Sequence, residues 1–517
     1  MPHLVRVSDW PPLLWGARID RRGLGRIYCG KAVEESGEGV LAAAWSGPYA
    51  GSSPLAAMTS IGTGLLMTPD GIVAFCGNAG SDVVFIHRGA GELTVSNALP
   101  AAIALAGTAL KRGYPYYNQD LITYRFGPER YRRAIPCARG RIEPYYRAVH
   151  IGRNLAVSPL DHDYDREFKD FARYRETLIA ELKLLFANAA DRGRSVRYRP
   201  IVTLSRGYDS TAAAVLALNA GCGEGFTHGQ AVGAPPGTSD SGAHIGKMLG
   251  LKVTEFETLA YQGREDFPEA EFIASGYGGP QVYMAGTETA LRGRLIVTGF
   301  GGDAIWHRDH GVHAPAKAPF YAGGYSGVNF NLRLPALSVA APAIGAGAPG
   351  RIGALSRSAE MRPWSLGGDY DRPLPRRIAE QAGIPRDAFA AAKQMVTPSY
   401  DSAGRRAPPL EAYLSPCTLA EFERYLAEER PFSPWRARFR NGFAGLARRL
   451  VWSKKMHRFA RKFGLGWPPL PSFFWHLRAG IRRNGFLFHW AVARVAGGYG
   501  EALAKTRRDG REEALDA

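Results

Sequence analysis

Cysteine is scarce: five in 517 residues, at Cys29, Cys76, Cys137, Cys222 and Cys417. An odd number of widely separated thiols makes no disulfide framework, and no two stand at zinc-site spacing. A reducing compartment is expected, and the cytoplasm is the simplest one. The chain also lacks any apolar run of about 18–20 residues, the length that spans a bilayer, so no transmembrane helix is expected. The first residues, MPHLVRVSDWPPLLWGARIDRR, hold no apolar core of signal-peptide length, because prolines and charges interrupt them. Acidic residues are missing from one long interval. Between Glu429 and Glu501 there is no Asp or Glu, while fifteen Lys or Arg residues fall there. The whole chain carries a formal charge of +18. Charge so unevenly spread suggests an anionic partner: nucleic acid, an anionic membrane surface or an acidic substrate.

With 45% hydrophobic and 22% charged residues, the composition is that of a globular protein. The length is too great for one ordinary core, so two or three domains are expected. Residues 1–160 read as a layered, β-rich α+β domain, in which short apolar runs such as Leu41–Trp45, Ile72–Phe75 and Val83–His87 alternate with Gly, Asp, Ser and Pro. One helix is expected around Pro100–Arg112 and another from about Asp165 to Ala190. Residues 161–410 read as an α/β domain. Strands at Pro200–Leu204, Phe226–Val232, Lys252–Phe256 and Leu295–Thr298 alternate with helices at Thr211–Ala220, Asp240–Leu249 and Gln281–Arg292. That alternation predicts βαβ units on a parallel sheet. Residues 313–358 are rich in Gly, Ala and Pro and read as loop with short helices. Residues 372–395 read as two helical pieces joined at Gly383-Ile384-Pro385, and 411–517 as a basic, aromatic helical extension.

The most informative stretch is Leu204-Ser205-Arg206-Gly207-Tyr208-Asp209-Ser210-Thr211. It follows a buried strand and opens a helix, which is where α/β proteins bind anions. First-turn amides point at the ligand, the hydroxyls of Ser205, Ser210 and Thr211 add donors, and Gly207 allows close backbone approach. Asp209 would repel phosphate unless a cation lay between them, and Mg²⁺ is the natural choice. An ordinary helix cap formed by Asp209 or Ser210 is the plain alternative. A second loop, Gly299-Phe300-Gly301-Gly302-Asp303, follows the strand ending at Thr298. Two such loops from one parallel sheet would converge on one cleft, making Asp303 a second candidate ligand for Mg²⁺.

Ser205–Ser210 resembles the SGGxDS loop of ATP pyrophosphatases, and the order of segments resembles that of asparagine synthetases. Thr298–Ala304 stands where that family has SGEGADE, Glu360-Met361-Arg362-Pro363-Trp364 is similar to its ExRxPF segment, and Lys393 stands for its later phosphate-contacting lysine. Val95-Ser96-Asn97 and Arg132–Arg139 weakly resemble the end of its glutaminase half. The resemblance covers about residues 60–400. It implies an Ntn-hydrolase-like domain followed by an adenine nucleotide alpha hydrolase-like domain. It also implies ATP with Mg²⁺, and formation of an acyl-adenylate that an amine converts to an amide. On this resemblance Ser205, Gly207, Asp209 and Ser210 hold the pyrophosphate. Leu204, Val232, Thr298 and Gly299 contact the nucleoside, Asp209 and Asp303 bind Mg²⁺, and Lys393 supplies positive charge in the transition state.

The departures carry meaning as well. Arg206 replaces the first loop's glycine, where its guanidinium would either pair with phosphate or crowd the cradle. Phe300 and Ala304 replace both acidic residues of the second loop, which puts synthesis of asparagine itself in doubt. The family's nucleophile is a cysteine directly after the initiator methionine, but this sequence begins Met1-Pro2-His3, and Cys29 and Cys76 read as core residues. No glutamine hydrolysis is expected. An amide ligase with an unidentified acyl substrate leads. A catalytically silent nucleotide-binding scaffold and a nucleic-acid-modifying ATP pyrophosphatase remain open. The basic tail, with Trp435–Arg440, Arg448, Arg449, Lys454–Phe463 and Ile481–Arg483, fits an anionic membrane surface or anionic substrate. Nucleic acid fits less well, and a solvated face over packed helices is the plain alternative.

Overall fold

The computed structural model describes residues 3–123, 131–160, 168–230, 239–264, 269–275, 281–308, 327–346, 349–367, 371–389, 409–451, 481 and 483–512. The first third builds two facing sheets. One has seven strands in the order Leu4–Arg6, Gly23–Cys29, Trp15–Asp20, Glu92–Ser96, Val84–Arg88, Arg141–Tyr145, Ile135–Pro136. The other has six, from Val157–Pro159 through Val149–Gly152, Gly71–Cys76, Ser60–Thr68 and Gly39–Trp45 to Glu34–Ser36. Only the Leu4–Arg6 pairing is parallel within these two sheets.

Strand alternation explains the layering. Trp15 faces the six-stranded sheet, where its indole donates to Thr63 at 3.0 Å. Its neighbour Gly16 faces the opposite way, against Leu105 of the helix Leu99–Ala106. The other face of the six-stranded sheet carries Leu41, Ala43, Trp45, Val73 and Phe75. There the backbone amide of Trp45 donates to Asn188 of the helix Phe171–Ala189. The order of layers is therefore helix, sheet, sheet, helix. Cys29 and Cys76 are buried in this core.

The second unit is a five-stranded, all-parallel sheet. Its order is Lys252–Phe256, Glu224–His228, Arg199–Thr203, Arg294–Thr298, Leu337–Ala340. The chain starts in the centre, moves outward by two strands, then returns to the other side of its starting strand. Arg199–Thr203 and Arg294–Thr298 thus lie side by side, each followed in the chain by the strand on its other side, and Ile201 pairs with Ile296. Strands buried on both faces explain the runs Ile201-Val202 and Leu295-Ile296-Val297, which show no polar alternation.

Two expectations needed correction. Residues 313–358 contain the fifth strand, Leu337–Ala340. With only four residues, flanked by Pro335 and Pro342, it lacks the length that marks a strand in sequence. The stretch Gln281–Arg292 divides into a 3₁₀ segment, Val282–Thr287, and a single α turn, Glu288–Leu291, with Gly286 interrupting the periodicity.

The C-terminal residues form the helices Pro416–Glu429, Pro434–Val451 and Leu487–Glu512. The last packs on both Leu99–Ala106 and Glu269–Ala274, so it spans the first third and the parallel-sheet unit. No helix among the described residues is long and apolar enough to cross a membrane.

The short helix under that C-terminal helix holds two buried carboxyls. Burial pushes Glu269 up to about 7, against hydrogen bonds from Ser415 and Thr418, and pushes Glu271 up to about 7, against Arg333. In the unfolded chain both titrate near 4.3, roughly the model-peptide value. The folded form therefore holds these protons more tightly, and the contribution of these two groups to stability is largest at acidic pH. It falls as the pH rises towards about 7 and levels off above that. The melting temperature is expected to drop between pH 5 and pH 8, and Glu271→Gln is expected to lessen the drop. A flat profile in the wild type, or an unchanged slope in the variant, contradicts the assignment.

Candidate functional site

Leu204 directly follows the central strand. Its amide donates to Phe226 at 2.8 Å, and its carbonyl accepts from the Thr227 hydroxyl at 2.9 Å. Both backbone groups are thereby tied to the neighbouring strand, and the side chain is buried. The next three residues, Ser205–Gly207, lead into the helix Tyr208–Asn219, with Gly207 as its N-cap. Gly207 has no side chain with which to cap the first-turn amides, which have no intrahelical acceptors. The loop is braced internally. The hydroxyls of Ser205 and Ser210 lie 2.6 Å apart, the Gly207 amide donates to Ser205 Oγ at 3.1 Å, and the Ser210 and Thr211 hydroxyls both donate to the Gly207 carbonyl at 3.0 Å. The Arg206 amide donates to the carbonyl of Asp240 at 3.2 Å. On that side a Cβ at Gly242 would stand 2.7 Å from Ser205 N.

The second loop closes on the first from the adjacent strand. A Cβ at Gly299 would stand 2.5 Å from the Asp209 carbonyl oxygen and 2.6 Å from Ser210 N. A Cβ at Gly302 would stand 2.7 Å from Asp209 Cβ and 2.8 Å from its Oδ1. Gly301, at φ 79°, supplies the left-handed turn that opens the short helix Gly302–Ile305. Asp303 is exposed in the first turn of that helix, one residue after the glycine that touches Asp209. Thr298 is buried, and its hydroxyl donates to Val339 O at 3.4 Å. Phe300 is half-buried against the core, and Ala304 is exposed.

A cation does stand beside Asp209, and it belongs to the chain. Arg372 donates to Asp209 Oδ2 at 2.7 Å, with side chains 4% and 20% exposed respectively. Arg372 precedes the helix Pro373–Gln381, which lies against the helix of the first loop. From that second helix Arg376 sits 4.7 Å over the Tyr208 ring, donates to the Trp364 carbonyl and pairs with Asp371 at 3.5 Å. Burial alone would raise Asp371. Hydrogen bonds from the Ser365 hydroxyl and from the Leu366 and Gly367 amides, together with Arg376, lower it instead. Glu360 accepts from the Phe171 amide at 3.0 Å and from Arg377 at 2.9 Å, so it binds the start of the long helix to this cluster.

The groups present suit a phosphate chain: an uncapped helix start, the partly exposed hydroxyls of Ser205 and Ser210, and the partly exposed Arg206; the Thr211 hydroxyl is buried on the Gly207 carbonyl, and Arg372 is held by Asp209. They also suit a magnesium ion that shares its shell with phosphate oxygens, which needs only one or two carboxylates; Asp209 and Asp303 provide that number. Among the described residues no three His, Cys, Asp or Glu gather into a metal cluster, so an ion held by protein alone is not indicated. Val232 and Lys393 lie outside the described residues. Arg372 and Gly242 were missed in sequence. Arg372 is 163 residues from its partner, and no local spacing announces such a pair. Gly242 lies within Asp240–Leu249, the stretch expected to be helical; the helix begins only at Ala243, with Gly242 as its N-cap.

Cys29 is a core thiol. Burial pushes it up to about 11, although Arg6 acts the other way, and a neutral thiol is a poor nucleophile. A separate cavity of about 600 Å³, lined in part by Trp10, Lys31, Glu271, Arg333, Arg494 and Tyr499, shares no lining residue with the two loops.

Comparison of the chain with protein-family models finds none that matches, and comparison with curated proteins finds no match.

The close approach at Gly299 is against backbone, which cannot rotate away. Gly299→Ala is therefore expected to destabilise the chain by about 1–3 kcal/mol, measured by urea unfolding. A loss under about 0.5 kcal/mol, within the range of neutral surface changes, would show that the two loops are not packed as described.

Proposed function

We propose that the chain is an ATP-dependent, AMP-forming amide ligase of asparagine-synthetase type, acting without glutamine hydrolysis. On this reading the N-terminal sheets are a degenerate glutaminase-like unit of Ntn type. The parallel-sheet unit is of the adenine nucleotide alpha hydrolase-like kind. The domains run 1–160, 161–410 and 411–517. One observation carries the reading: the loops after two adjacent parallel strands touch at Asp209 and Gly302, where the sheet order reverses. That is the place where open α/β sheets receive nucleotides.

Ser205, Gly207 and Ser210 would hold the pyrophosphate through amides and hydroxyls, and Arg206 would add a charge-assisted bond. Arg372 neutralises Asp209, so the loop meets a polyanion with no net repulsion from that carboxylate. Magnesium, when bound, supplies charge neutralisation on the departing pyrophosphate, with Asp209 and Asp303 as its protein ligands. Thr298, Gly299, Leu204 and Val232 would border the nucleoside, and Lys393 would stabilise developing charge. The carboxylate substrate attacks the α-phosphorus and expels pyrophosphate. An amine then attacks the acyl carbon and releases AMP. The acid is a small molecule, a peptide or a glycan precursor. Absence of glutamine hydrolysis is supported by Cys29, which is buried and held neutral.

A second reading, a nucleotide-binding protein without catalysis, is favoured by two features. Asp209 is already ion-paired, and Phe300 and Ala304 stand where the related synthetases have acids.

Exchange of labelled pyrophosphate into ATP separates the two, assayed with aspartate and a panel of other carboxylic acids. Asp209→Asn is the variant to use, because it keeps an oxygen that accepts the Arg372 hydrogen bond, whereas Asp209→Ala removes charge and acceptor together, a change that costs about 3–5 kcal/mol when both partners are fully buried and less here. Exchange that falls by about 100-fold or more in Asp209→Asn, in protein that is still folded and unfolds cooperatively at a somewhat lower melting temperature, is the expected result. ATP binding without exchange for any acid would replace the ligase reading with the silent one.

A further inference from the structure

The helix Pro434–Val451 is built inside out. Its inward residues are small or polar: Ala437, Ala444 and Ala447 are buried. Arg440 donates to the Tyr116 hydroxyl at 2.9 Å, and Asn441 donates to the Ile481 carbonyl at 3.0 Å. Its large apolar residues point the other way. Trp435 is 74% exposed, Phe439 72%, Phe443 44% and Leu446 55%. Eight large apolar side chains stand exposed among the described residues, and four of them are on this one helix. At about 100° per residue they fall within an arc of roughly 80°. Trp435 and Phe439 stack, with ring centroids 6.1 Å apart. A surface helix ordinarily turns such a stripe to the core, and an exposed apolar patch of this kind marks a binding face.

The charge around the stripe selects the occupant. Arg436 borders it on one side and Arg438 on the other, both exposed. The helix has no acidic residue, and neither does the sequence from Arg430 to Gly500. Aromatic rings between flanking arginines match the boundary of an anionic bilayer. There the rings enter the acyl region while the guanidinium groups stay at headgroup level. Stacking on a nucleic acid asks for rings spaced along a groove, not for an aliphatic and aromatic stripe that includes Leu446.

We infer that Trp435, Phe439, Phe443 and Leu446, with Arg436 and Arg438, form a face that docks the chain onto an anionic lipid bilayer. It is a peripheral contact, with the helix lying in the plane of the interface. This face carries no residue of the two loops described above.

Co-sedimentation of the full chain with vesicles tests it. One set is phosphatidylcholine alone, and the other contains about one third phosphatidylglycerol, enough for a clearly negative surface. Binding to the anionic set only, released by raised salt, is expected. The double variant Trp435→Glu, Phe439→Glu is expected to bind at least about tenfold more weakly, since it removes apolar insertion and adds repulsion. Both side chains are exposed, so its melting temperature should match the wild type, which keeps the comparison one of docking and not of folding. Equal binding by the double variant overturns the inference, as does failure of the wild type to sediment with anionic vesicles. A dimer that the double variant dissolves, with no vesicle binding by the wild type, assigns the face to a second copy and also overturns it. So does RNA binding in place of vesicle binding.

Discussion

Two backbones meet where the parallel sheet changes direction, and the missing side chain of Gly299 sets the room between them. Arg199–Thr203 and Arg294–Thr298 are neighbours in the sheet but are followed by chains that run to opposite sides. Their two loops must share the space above the sheet edge. Gly299 and Gly302 let the second loop sit directly on Asp209 and Ser210. The placement of Asp303 follows from that contact: it stands one residue after the glycine that meets Asp209.

The electrostatics of the loop depend on a distant segment. A carboxylate at the second position of a phosphate-facing helix is unfavourable for anion binding on its own. Arg372 balances it, and the helix that follows Arg372 adds Arg376 against Tyr208. Tyr208 in turn packs on Phe389, with ring centroids 4.3 Å apart. Loop, helix and basic segment therefore form one packed unit. Movement of the Pro373–Gln381 helix would change the charge presented at Asp209. The charge at Asp209 and the position of that helix are thereby coupled through one ion pair.

The strands that flank the site were legible because burial on both faces leaves uninterrupted apolar runs, as in Ile201-Val202 and Leu295–Val297. The loop Ser205–Ser210 was legible because its residues are consecutive. The fifth strand, Leu337–Ala340, was not, since four residues between prolines carry too little pattern. Arg372 was not, because its partnership spans the unit and depends on which helix packs on which. The tail was read as helices with basic and aromatic faces. The inward placement of Ala437, Ala444 and Ala447 inverts the face that apolar periodicity would have assigned to the core. Periodicity shows that a stripe exists, and only the packing shows which way it points.

The central claim is that the loops at Ser205–Ser210 and Gly299–Asp303 together receive the phosphates of a nucleotide. Calorimetric titration of ATP into the full chain and into Arg206→Ala tests it most directly. Loss of one charge-assisted contact of about 1.5–3 kcal/mol predicts affinity weakened by roughly tenfold or more. The Arg206 amide keeps its bond to the Asp240 carbonyl in the variant, while the attraction of the guanidinium to the buried Asp240 carboxyl is lost, so a cooperative unfolding transition is checked beside the titration. ATP that binds the variant as tightly as the wild type, or that binds neither, contradicts the account.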